Sequence, residues 1–177
     1  MGKNTVKLKL YANIVNEYVV ATAKTVIPGQ LVEMTSTSTK IQPHSTAGGN
    51  AAPMFALEDE LQGKDLGDTF AAGDRVQVLF APPGSEVLAI LADGQNVSIG
   101  DFLESNGAGY LQKHTADALS ESWESGSKQE GQSLSLTVYP KQIVAQALEA
   151  VDLSQSSGEE ESSETIGYNK RIKVRIV

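Results

Sequence analysis

FAAGDRVQVLFAPPGSEVLAILADGQNVSIGDFLESNGAGYLQK, residues 70–113, decides the fold class. Arg75–Phe80 is rich in β-branched and aromatic residues, and Val76, Val78 and Phe80 share one face at period two. Pro82-Pro83-Gly84-Ser85 breaks the chain, because Pro fixes φ and Gly accepts positive φ. Glu86–Ala92 is apolar on both faces, which predicts a strand buried on both sides. Asp93-Gly94 predicts a hairpin-type turn. Short strands are expected around Val97–Ile99, Phe102–Glu104 and Tyr110–Gln112, separated by Gly100-Asp101 and Asn106-Gly107-Ala108-Gly109. Five short strands punctuated this way predict an all-β domain, a small β-barrel or sandwich.

Working outward, one frame recurs. Val26-x-x-Gly29-Gln30-x-Val32, Phe70-x-x-Gly73-Asp74-x-Val76 and Val97-x-x-Gly100-Asp101-x-Leu103 share an apolar residue, Gly, Asp or Gln, then a second apolar residue. The Gly supplies a positive φ, and the Asp or Gln side chain can cap the turn. Pro28-Gly29 is a type II turn signature. The unequal spacing of the three copies excludes a solenoid or propeller array. Short strands are expected at Leu31–Met34, near Lys40-Ile41 and at Met54–Glu58. Gln142–Asp152 has helical propensity, but its β-branched Ile143-Val144 and its strand neighbours place it in a continued sheet. Ser133–Tyr139 alternates as a strand, and Tyr168–Val177 closes the sequence with Ile172, Val174 and Ile176 on one face.

The ends and two polar segments set the domain plan. Val6, Leu8 and Leu10 alternate with Lys7 and Lys9, and Tyr18, Val19 and Val20 add an apolar patch. Residues 1–25 therefore form an edge strand or an extended N-terminal arm, followed by a single β-domain over 26–177. Polar insertions fall at about 115–133 and 154–164. In the first, Leu119 and Trp123 stand four apart, as on a short surface helix or in a pinned loop. Trp123 is a local anchor or an interface residue.

Charge and chemistry narrow the function classes. The net charge of −8 is uneven: +3 over residues 1–24, +4 over 170–177 and −15 between them. Basic ends on an acidic body do not make a nucleic-acid face. They either neutralise their own body or meet something acidic. There is no Cys, so thiolate metal sites and a cysteine nucleophile are excluded. No run is apolar enough to span a bilayer, and the N-terminus shows no leader pattern, so no membrane partner is expected. No nucleophile elbow, phosphate loop, dinucleotide fingerprint or zinc-protease motif occurs. The tip Pro82-Pro83-Gly84-Ser85 lacks the lysine that a lipoyl- or biotinyl-type barrel modifies. His44 and His114 fall in a loop or at a strand end and read as exposed and incidental. No catalytic residue, cofactor or metal is expected. An esterase or carbohydrate-active enzyme, built on Glu58, His44 and His114, is the remote alternative.

The ordered series Phe55-Ala56-Leu57-Glu58, Gly73-Asp74-x-Val76, Pro83-Gly84-x-Glu86-Val87, Gly100-Asp101-x-Leu103-x-Ser105-x-Gly107-x-Gly109, Ala147-Leu148-Glu149-Ala150 and Ile172-x-Val174 resembles the decoration, or cement, proteins of tailed-bacteriophage capsids. The resemblance covers most of residues 26–177. It implies a compact β-barrel or β-tulip, non-enzymatic and often a homotrimer, made in the host bacterial cytoplasm and carried on the capsid exterior. The implied partners are the major capsid protein and other copies of the chain. An N-terminal arm reaching over capsid subunits would place Lys3, Lys7, Leu8, Lys9, Leu10 and Tyr11 at the contact. A tail-associated or host-adhesion module with the same β body is the competing expectation.

Overall fold

The computed structural model describes residues 5–10, 12–36, 39–115, 139–155 and 171–177. The described residues contain no α-helix, and the all-β expectation holds. The described residues form thirteen strands: β1 Lys7–Lys9, β2 Ile14–Val20, β3 Val32–Met34, β4 Lys40–Pro43, β5 Met54–Ala56, β6 Arg75–Phe80, β7 Glu86–Ile90, β8 Asn96–Val97, β9 Phe102–Ser105, β10 Leu111–Lys113, β11 Ile143–Ala147, β12 Val151–Asp152 and β13 Arg171–Ile176. They do not close into a barrel. A six-stranded sheet runs β1-β7-β13-β11-β9-β10, a five-stranded sheet runs β3-β4-β2-β6-β5, and β12 and β8 form a small ribbon.

β1 lies at the edge of the larger sheet beside β7, whereas β2 is interior to the smaller sheet, between β4 and β6. β13 lies between β7 and β11. The ambiguous segment at 142–152 is not helical but splits into two strands, β11 in the six-stranded sheet and β12 in the ribbon; β11 sits between β13 and β9, where its buried Val144, Ala145 and Ala147 meet the core. Tertiary burial overrides the helical propensity of its Ala and Gln.

Among the described residues, two apolar clusters hold the sheets. The main core joins Val87, Ala89, Leu103, Leu111, Ala145, Ile172, Val174 and Ile176 of the large sheet to Phe55 and Leu79 of the smaller one. Fully burying one of the Val, Leu, Ile or Phe side chains among them contributes roughly 1.5–3 kcal/mol. A second cluster lies on the other face of the small sheet, where Val20, Val32, Ile41, Met54, Val76 and Val78 are roofed by Val26 and Phe70. β7 is buried on both faces from Val87 to Ile90, as its composition predicts.

The recurrent frame is one structure used three times. Gln30, Asp74 and Asp101 each donate a backbone N–H to the carbonyl three residues earlier, of Ile27, Ala71 and Ser98, at 3.0–3.1 Å. The same residues accept the reciprocal N–H on the side chain, at 2.8 Å in each case. Gly29, Gly73 and Gly100 sit at φ of 89, 91 and 93°. The turns also meet: Val26 and Phe70 exchange both backbone hydrogen bonds, at 3.0 and 2.8 Å. A variant of the frame joins β6 to β7. Ala81-x-x-Gly84-Ser85-x-Val87 closes the same backbone bond, Ser85 N to Pro82 O, at 3.1 Å. Pro82 has no N–H to be capped, so no Asp or Gln is required there.

One turn assignment needs correction. Asp93-Gly94 does turn the chain, with Gly94 at φ 74°, but it makes no hairpin. β7 and β8 belong to different sheets, and β8 pairs with β12. The Pro82–Ser85 break likewise carries the chain from the five-stranded to the six-stranded sheet.

Candidate functional site

The groups with chemical potential converge on β9. His44, expected to be exposed, is buried, with 2% of its surface accessible. The cause is the loop at 106–109, which folds over it: Gly109 donates to the His44 carbonyl at 3.1 Å and accepts from Leu31 N–H at 2.8 Å. Gly109 has no room for a side chain, since a Cβ would lie 2.9 Å from Leu31 O. The His44 ring spans two loops. Nε2 is 3.0 Å from the Asn50 carbonyl, which can only accept, so Nε2 carries a proton. Nδ1, 2.8 Å away, is then the acceptor for the Ser105 hydroxyl in the neutral ring, and Ser105 Oγ accepts the Gly107 N–H at 3.1 Å.

Glu33 completes the cluster, with its carboxylate 3.7 Å from His44 Nε2. Burial pushes its pKa up, but hydrogen bonds from Ser45 and Gln42 and the nearby His44 outweigh that and hold it below the ordinary 4.5. Serine, histidine and glutamate thus stand near one another, but the Asn50 carbonyl and not Glu33 accepts the Nε2 proton, so no acid orients the ring as in a nucleophile–base–acid set. The geometry is also closed, because Ser105 is fully buried and each partner closes a loop. His114, the other histidine, is half-buried. Its Nδ1 lies 2.6 Å from the buried Glu104 carboxylate, which also accepts from Gln112 at 2.9 Å. Neighbouring residues of β9 therefore engage both histidines of the chain. Glu58 accepts Val6 N–H at 3.1 Å and the Thr5 hydroxyl, and so latches the segment before β1.

The accessible candidate is a row across the outer face of the large sheet. Direct register partners place Lys9 opposite Glu86, Glu86 opposite Arg175, Arg175 opposite Gln146 and Gln146 opposite Phe102. Lys9, Arg175 and Phe102 are exposed. The Arg175 guanidinium lies 3.4 Å from Glu86. Ile99 stands beyond the end of the row, in the turn whose Gly100 carbonyl accepts from Gln146 at 3.1 Å. This face therefore grades from basic to apolar.

Of the contact residues expected from sequence, Lys9 joins the row. Lys7 is half-buried on the same strand, and Leu8 and Leu10 pack against the main core. Lys3, Tyr11 and Trp123 lie outside the described residues, as do most of the expected strand at 133–139 and most of the two polar insertions. Phe102 and Arg175 gain their place only from cross-strand register, which no local pattern encodes. Arg171, counted with the basic tail, is buried: its guanidinium donates to the carbonyls of Pro28, at 2.7 Å, and Leu66. Among the described residues, no helix is long and apolar enough to cross a membrane.

No family model matches the chain, and no curated protein matches it. Among solved structures it is similar to the head fiber gp8.5 N base of bacteriophage phi29. The TM-score is 0.49 at 13% identity, over 93% of this chain and 95% of that one.

Proposed function

We propose that the protein is a non-enzymatic structural component of a bacteriophage particle, which binds the outer surface of the head and stabilises it by bridging major capsid protein subunits. The ordered motif series that resembles capsid decoration proteins supports the class. The observation that carries a binding role is the Lys9–Glu86–Arg175–Gln146–Phe102 row, which offers a sheet face with a basic and an apolar end. The burial of Ser105 and His44 supports a non-catalytic reading of the polar cluster.

The mechanism is linkage. A protein that binds only the assembled lattice stabilises it by roughly 3–4 kcal/mol when free protein stands at 100 to 1,000 times Kd. Occupation by a trimer would add avidity. The test uses purified shells lacking this protein. Wild type should co-sediment with shells, and the double variant Lys9→Glu, Arg175→Glu should bind at least about tenfold more weakly. Deletion through residue 20 is a poor substitute, because it removes β2 from the interior of the small sheet. Wild type that leaves shells bare, with label at the tail in electron micrographs of particles, would favour the tail or adhesion module instead.

A further inference from the structure

The loop at 59–64, between the buried Leu57 and Leu66, is closed by its own hydrogen bonds. Asp59 and Lys64 exchange both backbone hydrogen bonds, each at 2.9 Å. Within this closure sits a single 3-10 turn, Glu60–Gln62, ended by Gly63 in the left-handed region. Asp59 is itself buried, and its carboxylate is devoted to the loop. Oδ1 accepts from Leu61 N–H at 3.1 Å and Gln62 N–H at 3.3 Å, and Oδ2 accepts from the Gln62 amide at 2.6 Å. The Gln62 amide also reaches the Arg75 carbonyl at 3.4 Å, which ties the tip to β6.

None of the turn's three residues is buried. A buried carboxylate and a closed set of hydrogen bonds therefore order a segment that adds nothing to either core. What the segment does is hold Leu61 at 97% exposure. A single exposed leucine is ordinary by itself. A leucine held in water on a loop ordered in advance is different, because the ordering entropy that weakens most contacts has already been met. The charge beside it is also sorted. Glu60 is exposed, while Lys64 turns inward, donating to the Thr69 carbonyl at 2.9 Å with its ammonium 5.9 Å from the Phe70 ring centre.

We infer that Leu61 is an anchor that enters an apolar pocket with a basic rim on a protein of the shell. This rests on the head-binding function proposed above. The anchor is carried by the five-stranded sheet, whereas the charged row belongs to the six-stranded one, so the two supply the separate contacts that bridging needs.

The test titrates wild type, Leu61→Ser, Leu61→Met and Glu60→Lys onto purified shells lacking this protein, with thermal melts of each variant. All four should melt alike, since the turn buries nothing. Leu61→Met should bind within about threefold of wild type, Leu61→Ser about ten- to a hundredfold more weakly, and Glu60→Lys measurably more weakly. Equal binding by wild type and Leu61→Ser would overturn the anchor and leave the proposed function standing. Failure of wild type itself to bind shells would overturn both.

Discussion

Gly29 and Gly73 occupy the same place in the same turn, yet substitution at the two should differ sharply. Both need a positive φ, which a Cβ penalises by about 1–2 kcal/mol. At Gly73 nothing lies within 4 Å of the added Cβ, so Gly73→Ala should lose only that amount. At Gly29 the Cβ would strike the buried Arg171 guanidinium and stand 3.0 Å from the Leu88 carbonyl. Gly29→Ala should therefore lose about 3 kcal/mol or more, as overpacking adds to backbone strain. Urea unfolding of the two variants measures the contrast, and equal losses would argue against the tight seat of Arg171. Glu33 gives a second expectation. Its folded pKa lies below its unfolded value, so the stability it contributes is present above the ordinary 4.5 and is lost as pH falls through the depressed value. Glu33→Gln should melt below wild type at pH 7, and the gap should close towards pH 3.

At the level of the element, the turns predict a graded response. Asp74→Ala removes one side-chain cap while keeping the backbone turn, and should cost about 1 kcal/mol by chemical denaturation. Ser85→Asp should do the reverse of what its neighbours suggest. Ser85 is fully buried and faces a proline with no N–H, so a carboxylate there loses its water without a donor, at a cost of about 1–3 kcal/mol or more. These turns were the most legible feature of the sequence, because the Gly, the capping Asp or Gln and the flanking apolar residues are all local. Strands β6, β7 and β9 were legible from equally local signals: β6 by its period-two patterning, β7 by being apolar on both faces and β9 by the turns that bracket it. The burial of His44 was not, since Gln42-Pro43-His44-Ser45-Thr46 reads as a polar loop until residues 106–109 cover it. Nor was the outer row, because Lys9, Arg175 and Phe102 are joined only by register between strands far apart in sequence. The Asp93-Gly94 turn forms without a hairpin for a related reason: the two strands it connects belong to different sheets.

For the whole molecule, the positions of the terminal strands imply unequal tolerance. β1 touches the six-stranded sheet only at its edge, so a chain lacking residues 1–10 should still fold, with a lower melting temperature and the β7 edge uncovered. Loss of β13 separates β7 from the β11–β9 half of the sheet and removes Ile172, Val174 and Ile176 from the main core. A chain ending at residue 170 should show no cooperative melt, and circular dichroism of the two truncations would make the comparison. The same placement of β13 governs timing. The pairing of Ala89 with Ile172 joins residues separated by nearly half the sequence, so the larger sheet stays divided during synthesis until β13 has emerged. Sheets with such distant pairings fold slowly, on the order of milliseconds to seconds. In the interval β7, apolar on both faces, is exposed to other nascent chains, and the yield of native protein will depend on how well that one strand is shielded.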